Sequence, residues 1–556
     1  MPALNLAAAP FNLDPARLAW VTETFARLTP HERLAQLFVL IRMLRNPESV
    51  RRAHAFKPGG ICAFMGPDGE AELADIAALD SACPVRPFVA ADMEGSRMSI
   101  AFGTEVPNPL ALAAVNNLAA SAEIARIMAE EARAVGVNWS FTPVLDINHA
   151  FRSPIVATRG FGSDTAAISE QALTQIRVLQ EHGVATSAKH WPGEGFDDRD
   201  QHLVTTVIPL TVEAWEQTFG KLYRAAIDAG VLSIMSAHIA FPAFVRAQNP
   251  NAGIEAFKPA CISRELTHTL LREKLGFNGL IVSDATPMAG LGSWCNREGF
   301  VPQLLAAGCD IILFSDDPDA DISAIHAAVA RGELTQARID DAVMRVLGLK
   351  AALGLHVRDN QSVGARLAKM RTPKNVASAK AITARAPTLV KDVQNLLPLD
   401  PAKHKRVLVL TPGIIEPFRP GGTPFILPDL LRAEGFEITM HTAETVITRK
   451  NFDLVLYLFG EETLLLRNRI FIDWHKLGGG GLDKAMYRPW HDIPTAMISF
   501  GYPYFLYDAP RVPTYINAYA TMESMQAAVA DCLMGRAPWN AHNPVDPFCG
   551  QEDARY

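Results

Sequence analysis

The chain has 556 residues, of which 49% are hydrophobic and 20% charged, and its formal net charge is −7 at pH 7. This composition indicates a globular protein with a large buried core and excludes a mainly disordered chain. The small negative charge, without a long lysine or arginine run, argues against nucleic acid or an anionic membrane surface as a partner.

The seven cysteines are scattered singly without CxxC spacing, and their odd number argues against a complete disulfide framework. The N-terminal segment MPALNLAAAPFNLDPARLAW has no basic stretch before its short apolar part, so it does not predict a secretory signal. No apolar run reaches the roughly 18 residues of a membrane span. We therefore expect a cytoplasmic protein with reduced thiols.

Eight apolar runs of strand length follow one another along the first 315 residues. They are 35–40, 59–64, 87–92, 137–143, 184–190, 231–238, 279–285 and 309–315. Helical periodicity marks 118–135, 165–182, 212–229, 263–275 and 322–332. Because each parallel strand needs a covering crossover, this alternation predicts an α/β fold, a (β/α)8 TIM barrel, over residues 1–355.

The composition changes after residue 355. Residues 356–380 are polar and basic, and we predict a linker and a connecting helix there. Further strand candidates lie at 406–412, 436–442, 452–460, 495–501 and 514–520, which predicts a smaller layered α/β domain over 381–556. The run Gly478–Gly481 lacks the order of a phosphate-binding loop, so we predict a surface loop without an assigned function.

Polar side chains stand at the ends of the predicted barrel strands. They are Asp92, Glu94, Asp146, Lys189, His190, His238, Asp284, Ser315 and Asp316. A TIM barrel gathers the carboxyl ends of its strands on one rim, which is where the active sites of this fold lie. We therefore expect these side chains to converge.

The segment KHWPGEGFDDRDQH, from Lys189 to His202, has the densest concentration of polar groups, and its proline and glycines predict a loop. Within it, Asp200 and His202 are separated by one residue. A carboxylate beside an imidazole fixes the ring's tautomer and orientation, as a general acid/base requires. For an isolated Asp-x-His pair, a solvated loop is the competing interpretation.

Asp284 directly follows the apolar strand in GLIVSDATPM. A carboxylate held at a strand end is rigid and faces the barrel mouth, as a nucleophile should. The competing interpretation is an N-cap for the next helix, which Pro287 would suit.

KHWPGEGFDDRDQH resembles the KH[FI]PGHGxxxxDxH signature of glycoside hydrolase family 3 β-N-acetylglucosaminidases. The resemblance continues in DMEGSR, FTPVLDIN, TRGFGSD and IMSAHIAFP, and past the linker in TLVKDVQNLLPL and SFGYPY. The chain departs from the family pattern at two positions. Ser96 stands where the family has a glycine, and Glu194 stands where it has a histidine.

The resemblance implies a retaining exo-β-N-acetylhexosaminidase of the two-domain form, without a metal or other cofactor. Asp284 would attack the anomeric carbon, and His202, oriented by Asp200, would protonate the leaving oxygen and then activate water. The positions implied for sugar binding are Asp92, Arg159, Lys189 and His190, with Met288 and His238 in the pocket wall. The implied partner is a small saccharide from cell-wall or chitin-derived material.

Two enzymatic alternatives stay open: a β-glycosidase of different sugar preference and a β-N-acetylglucosaminide phosphorylase. Glu194, Asp197 and Asp198 make the loop anionic, which should repel phosphate and favours hydrolysis. A catalytically inactive sugar-binding protein is a third alternative, although the retention of both Asp284 and His202 argues against it. A metal enzyme is disfavoured because no compact ligand pattern surrounds the histidines.

Overall fold

The computed structural model describes residues 4–556 apart from positions 359, 360, 418, 420 and 466. Its first sheet has eight parallel strands: β1 (Phe38–Arg42), β2 (Gly60–Ala63), β3 (Phe88–Ala91), β4 (Trp139–Ser140), β5 (Ala185–Trp191), β6 (Ser233–Ser236), β7 (Leu280–Ser283) and β8 (Ile312–Leu313). The strands are paired in chain order, β8 also pairs with β1, and a parallel bridge joins Val282 to Ile311. The sheet therefore closes on itself, and the predicted barrel is confirmed.

Helices cover the outside of this barrel, as parallel strands require. In chain order they are Pro15–Arg27, Pro30–Ala35, Pro47–Phe56, Gly69–Ala82, Pro109–Val115, Leu118–Ala134, Thr165–Glu181, Val212–Gln217, Phe219–Asp228, Pro242–Gln248, Arg297–Ala307, Pro318–Ala330 and Gln336–Ala352. A short helix, Ala289–Gly292, follows β7, and Glu265–Lys274 forms a π-helix where the sequence predicted an ordinary helix.

Two predicted elements have different bounds in the structure. The helix expected over 212–229 is broken at Thr218, whose hydroxyl donates to a carbonyl one turn earlier and competes with the helical ladder. The first strand begins at Phe38 rather than at residue 35. Thr29 and Glu32 form a capping box that starts a short helix just before it, and this helix extends into the apolar run.

A second sheet forms the core of the C-terminal part. Its strands are β9 (Thr388–Asp392), β10 (Arg406–Leu410), β11 (Glu437–Met440), β12 (Leu454–Phe459), β13 (Thr495–Ser499) and β14 (Thr514–Asn517), in the spatial order β9-β14-β13-β12-β10-β11. The last five correspond to the five predicted strands and are parallel. β9 was not predicted, and it pairs antiparallel with β14. The sheet forms a separate α/β domain, as expected.

The helices of the second domain, and those leading into it, are Val363–Leu367, Pro373–Thr383, Leu427–Ala433, Trp474–Leu477, Leu482–Met486 and Glu523–Leu533. Helix Pro373–Thr383 packs against Leu118–Ala134 of the barrel. One hydrophobic cluster contains side chains from both parts, so the two domains share a buried contact. The boundaries at 355 and 381 stay predictions, and positions 359 and 360 of the predicted linker lie outside the described residues.

All seven cysteines are free thiols. Within the part of the chain that the structure describes, none of the helices is both long and apolar enough to cross a bilayer.

Candidate active site

The carboxyl ends of the barrel strands carry the polar side chains expected there. Ion pairs join Asp92 and Glu94 to Lys189. Lys189, in β5, places Nζ 2.6 Å from Asp92 Oδ1 and 2.7 Å from Glu94 Oε1, both just after β3. Arg159 binds Glu94 through two hydrogen bonds of 2.9 Å. Three of the four sugar-binding positions implied by sequence therefore form one ionic cluster, with Glu94 at its centre.

Glu94 is ionised in this cluster. Burial alone would favour the neutral acid, but Arg159 and Lys189 outweigh burial and hold the pKa of Glu94 well below its usual value. Both cations and the Glu94 side chain are buried, so the array is fixed before any ligand arrives. It offers a preorganised set of donors and acceptors, which suits the hydroxyl groups of one sugar ring.

His190 is oriented by Asp146, the residue that follows β4 by a short turn. Its Nδ1 lies 2.6 Å from Asp146 Oδ2, and its Nε2 lies 3.4 Å from an Arg159 guanidinium nitrogen. Because arginine can only donate, Nε2 must accept and Nδ1 must carry the proton donated to Asp146. The other Asp146 oxygen accepts from the backbone N–H groups of His190 and Glu194.

Asp146, His190 and Glu194 also lie close enough to be considered as metal ligands, with one ligand atom from each within 4.8 Å of the others. The hydrogen bonds just described occupy both Asp146 oxygens, and an arginine stands beside the free edge of His190. This environment is that of a hydrogen-bonded pair beside a cation.

Asp284 begins the turn after β7 and is almost completely buried. Its Oδ1 accepts from the backbone N–H of Ala285 at 2.7 Å, whereas Oδ2 has no hydrogen-bond partner among the residues that the structure describes. Burial opposes ionisation, but the surrounding imidazoles, His202 among them, and the Ala285 N–H outweigh it and lower the pKa of Asp284. An ionised carboxylate with one unengaged oxygen is equipped for nucleophilic attack.

The helix-capping interpretation of Asp284 is wrong. The short helix after β7 starts at Ala289, its N-cap residue is Met288, and no side chain caps it. Asp284 lies several residues upstream, and its backbone N–H donates to the carbonyl of Ser236 on the neighbouring strand. Its position is therefore set by the barrel and leaves the side chain available for chemistry.

His202 and Asp200 form the pair that their spacing predicted. His202 Nδ1 lies 2.6 Å from Asp200 Oδ1, and the same oxygen accepts from the backbone N–H of His202 at 2.8 Å. Asp200 is buried, while the His202 side chain is 23% exposed. The carboxylate thus fixes one ring nitrogen and leaves Nε2 as the position for proton exchange.

The loop that carries this pair is bound to the segment that follows Asp284. Ala289 N–H donates to the His202 carbonyl at 2.9 Å, and Thr205 Oγ1 donates to the Gly290 carbonyl at 2.7 Å. A Cβ atom on Gly290 would lie 2.3 Å from the carbonyl oxygen of Gln201, so the two segments approach as closely as backbone allows. This contact brings Asp284 and His202 to the same part of the rim.

His238 does not line the pocket in the way the sequence suggested. It is completely buried, with Nε2 2.9 Å from the carbonyl of Ala285 and Nδ1 3.3 Å from Cys261 Sγ. Burial lowers its pKa, so the ring is neutral. His238 therefore supports the backbone beside Asp284, while Met288, 7% exposed, is the N-cap residue of the neighbouring helix.

Glu194, the first departure from the family pattern, is buried. Its Oε2 accepts from Gln201 Nε2 at 3.0 Å, and its Oε1 has no partner among the residues that the structure describes. Burial, with the charges of Asp146 and Asp200, raises its pKa well above the usual value. This shift favours the protonated form of Glu194 and reduces its contribution to the negative charge of the loop.

Ser96, the second departure, connects the domains. Its hydroxyl donates at 2.7 Å to Glu462, which follows β12 in the second domain. Glu462 also accepts from Thr521 and from Asn108, and its carbonyl accepts from Thr158, the neighbour of Arg159. The second domain thus holds the barrel segments on either side of the ionic cluster.

The sequence analysis placed Glu94 and Asp146 at strand ends but assigned them no role in the site. The available signal was their position inside DMEGSR and FTPVLDIN. Their partners, Arg159 and His190, come from other strands and loops, so the pairing was visible only in three dimensions.

The comparisons with known proteins agree with this geometry. Residues 65–349 match the description "Glycosyl hydrolase family 3 N terminal domain". A β-N-acetylglucosaminidase/β-glucosidase of Cellulomonas fimi is 38% identical to the chain, and the alignment covers 99% of each. A β-hexosaminidase of Methylobacillus flagellatus is 35% identical over 35% of this chain and 52% of its own length.

Among solved structures, the β-glucoside phosphorylase BglX has a TM-score of 0.91 and 32% identity, over 99% of both chains. A family 3 β-N-acetylglucosaminidase from Paenibacillus sp. str. FPU-7 has a TM-score of 0.78 and 23% identity, over 94% of this chain and 99% of its own, and supports the fold. These relatives support an enzyme over the inactive sugar-binding alternative. The match over half of the chain and the full-length relative together show that the protein belongs to glycoside hydrolase family 3.

Proposed function

We propose that the protein is a retaining, exo-acting β-N-acetylhexosaminidase that removes terminal β-linked N-acetylhexosamine from cell-wall or chitin-derived saccharides. One observation carries this proposal. Asp284 is buried with one unengaged carboxylate oxygen, and it lies on the same rim as the Asp200–His202 pair. A nucleophile and a proton donor are the minimum set for a double-displacement cleavage.

In the first step, an Asp284 oxygen bonds to the anomeric carbon while the glycosidic bond breaks, and His202 gives its Nε2 proton to the leaving oxygen. In the second step, water attacks the same carbon, the bond to Asp284 breaks, and His202 takes a proton from the water. Asp200 stabilises the imidazolium form and keeps the ring oriented in both steps.

The ionic cluster is the proposed binding site for the terminal sugar. Lys189 and Asp92 would meet ring hydroxyls as donor and acceptor, while Arg159 is held in place by Glu94. Because these side chains are fixed by one another, the sugar would bind without a large ordering cost. His190 would add a polar contact whose tautomer is set by Asp146.

Phosphorolysis is the second candidate, and two observations favour it. The 32% identical structural relative that spans 99% of both chains is named a β-glucoside phosphorylase. The negative charge expected on the loop is also smaller than the sequence implied, because Arg199 pairs with Asp197 at 2.5 Å and the raised pKa of Glu194 favours its protonated form. The electrostatic argument against phosphate as the acceptor therefore loses most of its weight.

Sugar preference is open on the same grounds, since the full-length relative from Cellulomonas fimi carries both N-acetylglucosaminidase and glucosidase in its name. The experiment is turnover of matched aryl β-glycosides of N-acetylglucosamine, N-acetylgalactosamine and glucose, with and without inorganic phosphate. Free sugar as the product supports hydrolysis, and sugar 1-phosphate supports phosphorolysis. No turnover of any of the three by wild type would overturn both candidates.

The covalent step has its own test. A slow-reacting fluorinated sugar should label a peptide that contains Asp284, and Asp284→Ala should remain unlabelled. Label on another carboxylate would contradict the assigned nucleophile.

We further propose a cytoplasmic location, since seven free thiols suit a reducing compartment.

A further inference from the structure

The second domain contains a cavity that the catalytic mechanism does not use. Its volume is about 300 Å³, and Gly478, the first residue of the GGGG run, forms part of its wall. The side chains that matter for its chemistry are His441, Tyr457, Trp474, Asp483, Lys484 and Tyr487. The glycine-rich loop, which was predicted to be a surface loop without an assigned function, therefore borders this cavity.

The cavity occupies a favourable place in the sheet. It touches Leu410, the last residue of β10, Tyr457 near the end of β12, and His441 directly after β11. The chain moves from β10 outward to β11 and then crosses back to β12, so the strand order reverses between β10 and β12. Ligands of open parallel sheets bind at the carboxyl ends of the strands at such a reversal.

Aromatic rings form much of the wall, and other side chains hold them in place. Tyr457 meets Trp474 edge to face with 6.0 Å between ring centroids. The Arg488 guanidinium lies 3.5 Å from the Trp474 centroid and restricts that ring further. Tyr487, 42% exposed, stands at the opening. Fixed rings lose little conformational entropy when a ligand packs on them.

The polar groups of the wall indicate a ligand without net charge. Asp483 and Lys484 carry opposite charges, and burial together with Lys484 lowers the pKa of His441, so its ring is neutral. The helices at the cavity, Trp474–Leu477 and Leu482–Met486, are too short to attract an anion by their dipoles. Donors and acceptors beside aromatic rings match a pyranose, whose C–H face is apolar and whose hydroxyls are polar.

Exposed apolar side chains stand beside the wall in the sequence. Met440, Val446, Leu482 and Met486 are large and exposed, and each is directly adjacent in sequence to a residue of the wall. Such side chains offer further apolar contacts to a ligand that extends out of the cavity.

We propose that this cavity is a second saccharide-binding site, which holds an oligosaccharide through Trp474 and Tyr487 while the barrel site acts on a chain end. The choice of β-linked N-acetylglucosamine or glucose units rests on the proposed function. Binding at this site would raise the local concentration of chain ends near the barrel. It would leave turnover of small aryl glycosides unchanged.

The test is hydrogen–deuterium exchange of the full-length Asp284→Asn protein with N-acetylglucosamine trisaccharide or cellotriose. When the sugar concentration is about ten times Kd, amide exchange that occurs through local opening of residues 474–490 should become about tenfold slower. The effect should be lost in the Asp284→Asn protein that also carries Tyr487→Ala or Trp474→Ala. Phe471→Ala, which removes a similarly exposed ring outside the wall, should keep it.

Protection of the loop 189–202 from exchange reports separately on sugar binding at the barrel site. A protected barrel loop with unchanged exchange at 474–490 would refute the second site and leave the proposed function standing. Protection at 474–490 that persists in both ring variants would also refute it. In a third outcome, residues 474–490 are protected, the barrel loop is not, and the wild-type protein turns over no aryl glycoside. This outcome would refute the proposed function and leave the second site standing.

Discussion

Ser96 of the barrel donates a 2.7 Å hydrogen bond to Glu462 of the second domain, at a position where the family pattern has glycine. Ser96 has a φ of +49°, a conformation that costs a residue with a side chain about 1–2 kcal/mol. The interdomain bond offsets this cost, since a hydrogen bond to a charged group contributes about 1.5–3 kcal/mol. The substitution of glycine by serine is thus compensated at the domain interface.

Ser96→Ala should therefore destabilise the protein more than Ser96→Gly, because alanine keeps the strained backbone and loses the bond. We expect the free energy of unfolding to fall by about 1.5–3 kcal/mol for alanine and by less for glycine. Denaturant unfolding of the full chain measures both. Equal losses in the two variants would show that the strain at this position is negligible.

Glu462→Ala should have a larger effect, about 2–4 kcal/mol, because it leaves the backbone N–H and the hydroxyl of buried Thr521 without their Glu462 acceptor and removes one of the two acceptors of Asn108 Nδ2. It should also lower kcat/KM, since the Thr158 bond beside Arg159 depends on this segment. Glu462 also pairs with Arg97, at 3.5 Å. The matched control is therefore Glu416→Ala, which removes another, partly exposed partner of Arg97 and should cost about 1 kcal/mol or less.

The acid/base role of His202 predicts a change in leaving-group dependence. His202→Ala should slow substrates with poor leaving groups about 10²–10⁴-fold, while an activated aryl glycoside should still react in its first step. Asp200→Asn should give a milder form of the same pattern, and the two defects should not add fully. Kinetics across a series of leaving groups measures this. An unchanged slope in His202→Ala would assign proton transfer to another group.

Glu194→Gln should preserve activity, because the neutral acid and the amide have nearly the same shape and both can accept from Gln201. It should extend activity toward alkaline pH, since the glutamine cannot ionise beside Asp146 and Asp200. Rate profiles from pH 5 to 9 would show this. A severe loss of kcat/KM at pH 7 would mean that the carboxylate form is the working one.

Glu461 gives the protein a pH-dependent stability. Burial raises the pKa of its carboxyl to about 8, so the folded state holds a proton that the unfolded state releases above its ordinary value of 4.5. Stability should therefore fall as pH rises from about 4.5 to about 8, and then level off for this group. Glu461→Gln should lack this fall, so its Tm advantage over wild type should grow up to pH 8. A pH-independent difference in Tm would contradict the assignment.

A barrel fragment tests the role of the second domain. All the proposed catalytic residues precede residue 370, so residues 1–370 contain the complete set. The structure shows that Glu462 binds Ser96, Asn108 and Thr158. We expect a fragment of residues 1–370 to have low solubility and a reduced kcat/KM. Full activity of a folded fragment would show that these contacts do not support catalysis.

Periodicity and strand-end chemistry were enough to predict the barrel, because buried parallel strands leave continuous apolar runs and place polar residues at one rim. They were insufficient for β9, whose sequence TLVKD is partly exposed at a sheet edge and shows neither a continuous nor a regular alternating pattern. Edge strands gain much of their order from the neighbour they pair with, and here the paired residues lie 122 to 129 positions apart in the sequence.

Within the site, the spacing of Asp200 and His202 predicted their contact because both lie in one short loop. The pairs Glu94–Arg159 and Asp146–His190 cross between different βα units, and their geometry depends on the barrel's closure. His238 was misplaced for a related reason. A strand-end position specifies the rim, but the direction of the side chain depends on local backbone rotation, which turns this ring into the core.

The bond from Ala289 to the His202 carbonyl, with the close approach of Gly290 to Gln201, has an evolutionary consequence. Any side chain at position 290 would push the segment of His202 away from the segment that follows Asp284, so descendants of this enzyme cannot adapt through that contact. The exposed stretch from Asp198 to Arg199 carries no such restriction. New acceptor preferences should therefore arise there, with Asp284 and His202 inherited as a unit.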